Sequence, residues 1–134
     1  MSPEEKKRQI DMANGFYGFN RHNEIQIVDV DDGTSVIEVP LRKESNNPLG
    51  IAHGGLIFSI CDVAAGVAAR SGGRNTVSQD ASIYFLSPGV NTTKLTAKGH
   101  VIREGGRTGI AESEVFTDDG TLVAKATVTI HYLD

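Results

Sequence analysis

The sequence predicts an α+β fold in which a curled antiparallel sheet wraps around one long central helix. Between Gly54 and Arg70 the chain is apolar nearly all round, with Ser59 and Asp62 as the polar side chains before Arg70. A helix with that pattern must be enclosed by the rest of the fold. Most of the remaining chain consists of runs rich in β-branched residues, divided by short turns that contain Gly, Asp or Pro.

A helical segment is predicted at the N-terminus, within residues 1–20. Ser2 and Glu5 have the spacing of a capping box, and Pro3 occupies the first helical position, where proline is favoured. A short apolar side follows before Gly15. This predicts a brief helix outside the central one.

Two strands are expected before the central helix and three or four after it, each bounded by turn residues. Asp31-Asp32-Gly33 predicts a hairpin between the first two, and residues 42–52 are expected to form an irregular loop. Gly72-Gly73 is expected to end the helix. The later strands are expected to form a meander of consecutive hairpins. The expected strands cover residues 24–30, 34–41, 76–86, 94–103, 107–117 and 121–132.

The length of 134 residues fits a single domain over residues 1–134. The chain has 17 acidic against 13 basic residues, a pI near 5.5 and no basic run beyond Lys6-Lys7-Arg8. This charge balance argues against a binding surface for nucleic acid or for an anionic membrane. The expected partners are therefore small molecules and further copies of the chain.

Cys61 is the one cysteine, which excludes an internal disulfide and a cysteine zinc cluster. The four histidines show no helical pair and no acidic partner at metal spacing, so no metal site is predicted. The charged N-terminus has no signal-peptide core behind it, and no window reaches the ~18 apolar residues of a membrane span. A soluble, cytoplasmic protein is expected.

The start of the central helix has the features of an oxyanion site. The first amides of a helix lack partners within the helix, so Gly54 and Gly55 can present N–H groups to a developing negative oxygen. Asn47 can supply a second donor from its side-chain amide. Asp62, if ionised, can take a proton from water or attack a carbonyl carbon directly. Together these groups describe acyl transfer to water.

Helix geometry separates the two halves of this site. Gly54 and Asp62 lie eight positions apart, which is about 12 Å along a helix, whereas both must come within about 3 Å of the reacting group. A two-fold dimer with antiparallel central helices would bring Asp62 of one chain opposite Gly54 of the other. The sequence therefore predicts two composite sites in a dimer.

A motif around the helix start resembles that of a known family, the hotdog-fold acyl-CoA thioesterases of the phenylacetic-acid-degradation, or PaaI-like, type. The resemblance covers nearly the whole chain in its order of elements. It implies a hotdog fold, hydrolysis of an acyl-CoA thioester to the free acid and coenzyme A, and no external cofactor. It also implies at least a homodimer, and a homotetramer of paired dimers. The motif is Asn-x-x-Gly-x-x-His-Gly-Gly followed by an acid, here Asn47, Gly50, His53, Gly54, Gly55 and Asp62.

The resemblance also implies roles for individual residues. Gly54 gives its amide to the thioester oxygen and Asn47 assists, while Asp62 activates water or attacks. Ser78 is the position that helps to orient the water. His53 supports the turn through a bond from its ring to the backbone.

Further substrate contacts are expected around this centre. Gly55 belongs to the same turn, and aromatic side chains beside the helix are candidates for an acyl or aryl pocket. Two arginines that bracket a glycine turn are candidates for contact with the phosphates of coenzyme A. The aromatic candidates are Phe58, Tyr84 and Phe85, and the arginines are Arg103 and Arg107.

Other interpretations stay open at this stage. An isolated helical aspartate is often only structural, and Cys61 is expected to be a core residue because neighbouring helical side chains point about 100° apart. The rival functions are a non-catalytic acyl-CoA sensor and a hotdog dehydratase or hydratase. Phenylacetyl-like, hydroxybenzoyl-like and medium straight-chain acyl groups are equally compatible with the sequence.

Overall fold

The computed structural model describes residues 1–134 and contains three α-helices and six strands. The helices are α1 Pro3–Gly15, α2 Phe19–His22 and α3 Gly54–Arg70, and a 3-10 turn covers Lys43–Ser45. The strands are β1 Gln26–Asp31, β2 Thr34–Pro40, β3 Thr76–Phe85, β4 Lys94–Glu104, β5 Thr108–Phe116 and β6 Leu122–Tyr132. No helix is long and apolar enough to cross a membrane.

The six strands form one antiparallel sheet that wraps around α3, with the order β1-β2-β4-β5-β6-β3. Helix α3 contacts every strand of the sheet. The helix and the inner face of the sheet share a core of aliphatic side chains, among them Ile57, Ile60, Ile37, Leu95 and Val115. The predicted α+β architecture, with one long central helix inside a curled sheet, is confirmed.

The position of β3 corrects the predicted meander. Strand β3 pairs with β6 at the edge of the sheet and has no pairing with β4. Helix α3 carries the chain from β2 across the sheet, so β3 starts at the far edge, and residues 86–93 return the chain to place β4 beside β2. The segment Ser87-Pro88-Gly89 is therefore part of a crossover loop, in which the Gly89 carbonyl accepts the Ala52 N–H at 3.0 Å.

The N-terminal helix forms as predicted. The Ser2 hydroxyl accepts the Glu5 N–H at 3.1 Å, and Pro3 begins α1. Asn14 fixes the helix to β1 by exchanging two 2.9 Å hydrogen bonds with the backbone of Ile27. Strand β1 starts two residues later than predicted because Glu24 has a positive φ of 59°, which no strand residue adopts.

Two buried serines attach the sheet to the middle of α3. Ser113 on β5 donates to the Cys61 carbonyl at 2.7 Å, and Ser35 on β2 donates to the Ala64 carbonyl at 2.6 Å. Gly99 on β4 permits this approach, because a Cβ there would lie 2.3 Å from the Ala64 carbonyl oxygen. Helix and sheet are thus joined by polar contacts as well as by apolar packing.

One face of α3 is uncovered within a single chain, which differs from the expectation of a helix enclosed on all sides. Phe58 is 37% exposed on this face, and Asp62 and Val63 are half-buried beside it. The adjacent edge strand β3 is also exposed on both of its faces over most of its length. The uncovered helix face and β3 form a continuous surface.

Candidate active site

The start of α3 is held by the His53 ring. His53 is the N-cap residue, and its Nδ1 accepts the Gly55 N–H at 2.7 Å. The Leu56 and Ile57 amides donate to the His53 carbonyl at 3.1 and 3.2 Å. The Gly54 N–H is the one amide of this first turn without a partner.

These bonds distinguish Gly54 from Gly55, which the sequence predicts to be equivalent donors. The Gly55 amide is already used by His53 and is not a free donor, which corrects the expectation that both amides face the substrate. The His53 ring makes the kind of backbone bond that the family resemblance implied. Gly54 is left as the free amide at the positive end of the helix.

The loop before α3 leaves the side-chain amide of Asn47 free. Asn47 Oδ1 accepts the Leu49 N–H at 2.9 Å and the Ile51 N–H at 3.4 Å, while its backbone N–H donates to the Ile51 carbonyl at 2.8 Å. A β-bridge between Asn46 and Ala52 closes the loop. Asn47 therefore lies next to the residues that lead into α3, and its Nδ2 group has no hydrogen-bond partner.

Asp62 is positioned by Ser78. The Ser78 hydroxyl donates to Asp62 Oδ1 at 2.5 Å, and no other hydrogen bond reaches this carboxylate. Ser78 pairs with the buried Ile130 of β6, so its side chain lies on the inner face of the sheet. Asp62 is half-buried on the uncovered face of α3. One carboxylate oxygen is thus fixed and the other is free.

Cys61, the neighbour of Asp62, does not share its environment. Its side chain is fully buried in the core. Burial, and next the negative charge of Asp62, raise the pKa of Cys61 to about 12. The thiol is therefore neutral at physiological pH and is not a nucleophile.

The aromatic residues of β3 lie on opposite faces of the sheet. The Phe85 ring lies 3.5 Å from the point that a Cβ on Gly54 would occupy. Tyr84 pairs with the exposed Lys125 and is 69% exposed on the outer face. Because of a bulge between Ser78 and Asp80, Ser78 shares its face with Phe85 and not with Tyr84. Of the two candidates on β3, the structure thus brings Phe85 to the helix start and places Tyr84 on the opposite face.

The remaining predicted contacts lie apart from this centre. Arg103 and Arg107 are exposed beside the β4–β5 turn, and neither side chain has a partner. Arg74 holds that turn, since it donates to the Gly105 and Gly106 carbonyls at 2.9 and 2.5 Å and stacks on Tyr132. No three His, Cys, Asp or Glu side chains converge where they could hold a metal ion.

Comparison with known proteins places this geometry in a family. The model of the thioesterase superfamily matches residues 49–124, which include α3 and the last residues of the loop that precedes it. The chain belongs to the thioesterase superfamily. Among sequence relatives, the acyl-coenzyme A thioesterase PaaI of Escherichia coli K12 is 32% identical over 100 residues, which are 75% of this chain and 71% of PaaI.

Solved structures of similar proteins agree with this assignment. The E. coli PaaI protein from the phenylacetic acid degradation operon has a TM-score of 0.91 at 25% identity and covers 98% of this chain and 95% of PaaI. A Streptococcus mutans protein, smu.793, solved with bound acetyl CoA, has a TM-score of 0.80 at 28% identity. The match covers 89% of this chain and 96% of smu.793. The predicted hotdog fold and PaaI-like type are confirmed, and the chain is a thioester hydrolase.

A streptococcal thioesterase has been studied at two positions with the spacing of Asp62 and Ser78. The hypothetical thioesterase protein of Streptococcus pneumoniae TIGR4, solved with coenzyme A, has a TM-score of 0.77 at 31% identity and covers 81% of this chain and 88% of that protein. Its structure was also solved for an aspartate-to-alanine and a threonine-to-alanine variant. The two substituted positions are 16 residues apart, which is the separation of Asp62 and Ser78.

Proposed function

We propose that this thioesterase hydrolyses acyl-CoA thioesters at two composite sites in a homodimer. In each site the Gly54 amide and the Asn47 side-chain amide of one chain bind the thioester oxygen. Asp62 of the second chain activates water or attacks the carbonyl carbon, and Ser78 positions Asp62. The observation that carries this proposal is that the Gly54 amide and the Asn47 side-chain amide both lack a hydrogen-bond partner, while the Asp62 carboxylate lies eight residues further along the same helix.

The distance along α3 is the reason for a second chain. Gly54 and Asp62 are separated by about 12 Å of helix, so the two groups of one chain cannot both reach one carbonyl. An antiparallel α3 from a second chain places the two groups level with each other. The two-fold symmetry repeats the arrangement and gives a second site.

The uncovered surface of the chain supports such a dimer. The exposed face of α3 adjoins β3, whose outer edge has no strand partner. Unpaired strand edges and exposed apolar side chains such as Phe58 and Phe85 are typical of surfaces that another chain covers. A homotetramer of paired dimers remains a prediction of the family resemblance.

The groups at the proposed site can carry out each step of thioester hydrolysis. Asp62 takes a proton from water, and the resulting hydroxide adds to the carbonyl carbon. The Gly54 and Asn47 donors hold the oxyanion, and its collapse breaks the C–S bond. Asp62 returns its proton to the departing sulfur, so the products are the coenzyme A thiol and the free acid. In the alternative path the Asp62 carboxylate attacks first and displaces the coenzyme A thiolate, which takes a proton from solvent; water then cleaves the anhydride to the free acid and regenerates Asp62.

Coenzyme A as the leaving group is supported by the relatives. PaaI is an acyl-coenzyme A thioesterase, and the two streptococcal structures hold coenzyme A and acetyl CoA. Coenzyme A is thus part of the substrate, and the proposed reaction uses no further cofactor. Contact between its phosphates and Arg103 or Arg107 stays a prediction.

The test is a hydrolysis screen over CoA thioesters with acetyl, hexanoyl, phenylacetyl and 4-hydroxybenzoyl groups, read as release of free thiol. The unmodified chain is expected to hydrolyse at least one of them. Asp62→Asn is expected to lower kcat by about 10²–10⁴-fold while thioester binding persists. Asp80→Asn, which changes an exposed acid of β3, is the matched control. Equal rates for Asp62→Asn and the unmodified chain would refute the assignment.

A further inference from the structure

A cavity of about 550 Å³ lies between α1, β1 and the last turns of α3. Its lining combines apolar side chains with three guanidinium groups and contains no carboxylate, although the chain as a whole has a net charge of −4. The apolar wall includes Met12, Phe16, Ile27, Val30 and Val67, and the cations are Arg8, Arg70 and Arg74. Such a cavity favours a ligand with an apolar body and an anionic end.

One of the three arginines is unpaired. Arg8 makes two hydrogen bonds to Glu5, at 2.9 and 2.6 Å. Arg74 is bound to the carbonyls of the β4–β5 turn and to the Asp134 carbonyl. Arg70 has neither a hydrogen bond nor an ion pair, so its guanidinium is the group in this cavity that is free to bind an anion.

The Arg70 side chain folds back along α3 toward Asp62. A Cβ on Gly66 would lie 3.1 Å from Arg70 Nη1, so the guanidinium covers Gly66. Gly66 is one helical turn beyond Asp62, which is a rise of about 6 Å. Burial lowers the pKa of Arg70, and the charge of Asp62 acts in the opposite direction. The cation and the proposed catalytic carboxylate thus share one side of the helix without touching.

We propose that this cavity receives the acyl group of the substrate and that Arg70 binds a carboxylate at the far end of that group. The inference rests on the proposed function, because it assumes that the scissile carbonyl lies beside Asp62. From that carbonyl, an acyl chain of about four to six carbons is long enough to reach a guanidinium one helical turn away. The substrates are then mono-CoA thioesters of short dicarboxylic acids.

The chemistry of the cavity suits this class. A guanidinium binds a carboxylate through two parallel N–H···O bonds, and that pairing is strongest where water is scarce. The apolar wall that Val67 and Met12 provide accommodates the methylene carbons between the two carboxyl groups. The Arg70 side chain is exposed to solvent in the single chain and has no partner, so a carboxylate bound in the cavity can reach its guanidinium directly.

The experiment compares kcat/KM for glutaryl-CoA and pentanoyl-CoA, which have five acyl carbons each and differ in the terminal carboxylate. The unmodified chain is expected to prefer glutaryl-CoA by about tenfold or more, since a charged hydrogen-bonded pair contributes about 1.5–3 kcal/mol. Arg70→Met is expected to remove this preference and Arg70→Lys to retain part of it. Arg21→Met, on α2 outside the cavity, is the matched control, and circular dichroism checks folding.

The other possible outcomes contradict either this inference alone or the proposed function as well. If Arg70→Met lowers hydrolysis of both thioesters equally, Arg70 contacts the coenzyme A phosphates or supports the fold, and the inference is wrong. An unmodified chain that hydrolyses neutral thioesters without preferring glutaryl-CoA also refutes the inference, while the proposed function stands. If no CoA thioester is hydrolysed at all, the proposed function itself fails, and the inference fails with it.

Discussion

The Ser78 hydroxyl donates a 2.5 Å hydrogen bond to Oδ1 of Asp62, which joins the edge strand β3 to the uncovered face of α3. This bond fixes the orientation of the carboxylate and leaves its second oxygen free. A reacting group can therefore approach Asp62 from the side that faces away from its own sheet. The strand that completes this arrangement is also the one with a free edge for a second chain.

Removing the Ser78 hydroxyl is expected to slow hydrolysis without unfolding the chain. A hydrogen bond to a charged group contributes about 1.5–3 kcal/mol, so Ser78→Ala should lower kcat by about 10–100-fold. Ser78→Thr keeps the hydroxyl and should restore most of the rate. Ser82→Ala, on the outer face of the same strand, should have no effect. The measurement is kcat with the CoA thioester that is hydrolysed fastest. Equal kcat values for Ser78→Ala and Ser78→Thr would contradict the role of Ser78.

The Gly54 amide can be removed while α3 is preserved. Proline is favoured at the first helical position, and His53 has φ −64° and ψ 136°, which a residue before proline readily adopts. Gly54→Pro should therefore fold normally but lower kcat by about 10²–10³-fold, the usual effect of losing one oxyanion donor.

Gly54→Ala is the control for this substitution. It keeps the N–H, and its added methyl group meets the Phe85 ring at an ordinary contact distance of 3.5 Å. Its loss of activity should be much smaller than that of Gly54→Pro. Comparable kinetics for the two variants, at comparable melting temperatures, would mean that the amide does not bind the substrate oxygen.

Gly99 is expected to be required for folding. A methyl group there would lie 2.3 Å from the Ala64 carbonyl oxygen and 2.7 Å from the Ser35 hydroxyl, and both atoms are fixed by their mutual hydrogen bond. Gly99→Ala should lower the free energy of unfolding by about 3 kcal/mol or more. Gly106→Ala, with no atom within 4 Å of its Cβ, should change it by about 0.5 kcal/mol or less. Urea denaturation of both variants measures the difference.

Cys61 is expected to resist thiol reagents until the chain unfolds. Burial raises its pKa from 9.0 to about 12, so the native thiol stays protonated at pH 8. Above pH 9 the unfolded thiol loses its proton while the native one keeps it, and stability should fall as the pH rises from 9 toward 12. Labelling with a disulfide reagent at pH 8, with and without urea, tests this; rapid labelling of the native protein would contradict it.

The local part of the site could be predicted from the sequence. Asn47, His53, Gly54 and Asp62 lie close along the chain, and a helix start with glycines, a cap and an internal acid has a geometry that depends on few other residues. The α3 boundaries follow from the same local pattern. The roles of these residues in catalysis remain a proposal, which the kinetic experiments test.

Features that depend on strand register could not be predicted in this way. The bulge after Ser78 decides which side chains of β3 face inward, so the sequence could not separate the two candidates Tyr84 and Phe85. The edge position of β3 depends on the path of α3 across the sheet. The buried bonds from Ser35 and Ser113 join residues 29 and 52 positions apart, and no periodicity in the sequence indicates such pairs.

In the sequence, Arg70 stands out only as the residue that ends the apolar run of α3. Arg70 and Gly66 are four residues apart and so lie on one face of α3, which explains why the guanidinium covers Gly66. That Arg70 has no partner depends on which other side chains line the cavity. A basic residue in the last turn of a helix is common because it complements the helix dipole. The local sequence therefore does not indicate the contact with the substrate that we propose for Arg70.

The most direct test of the account mixes two inactive chains. Asp62→Asn and Gly54→Pro are each expected to be inactive alone, and a heterodimer would combine the intact Gly54 of one chain with the intact Asp62 of the other. Refolding an equimolar mixture should restore about a quarter of the activity of the unmodified protein, because half of the dimers are mixed and each has one intact site. A mixture that forms heterodimers and stays inactive would show that the two residues do not act across two chains.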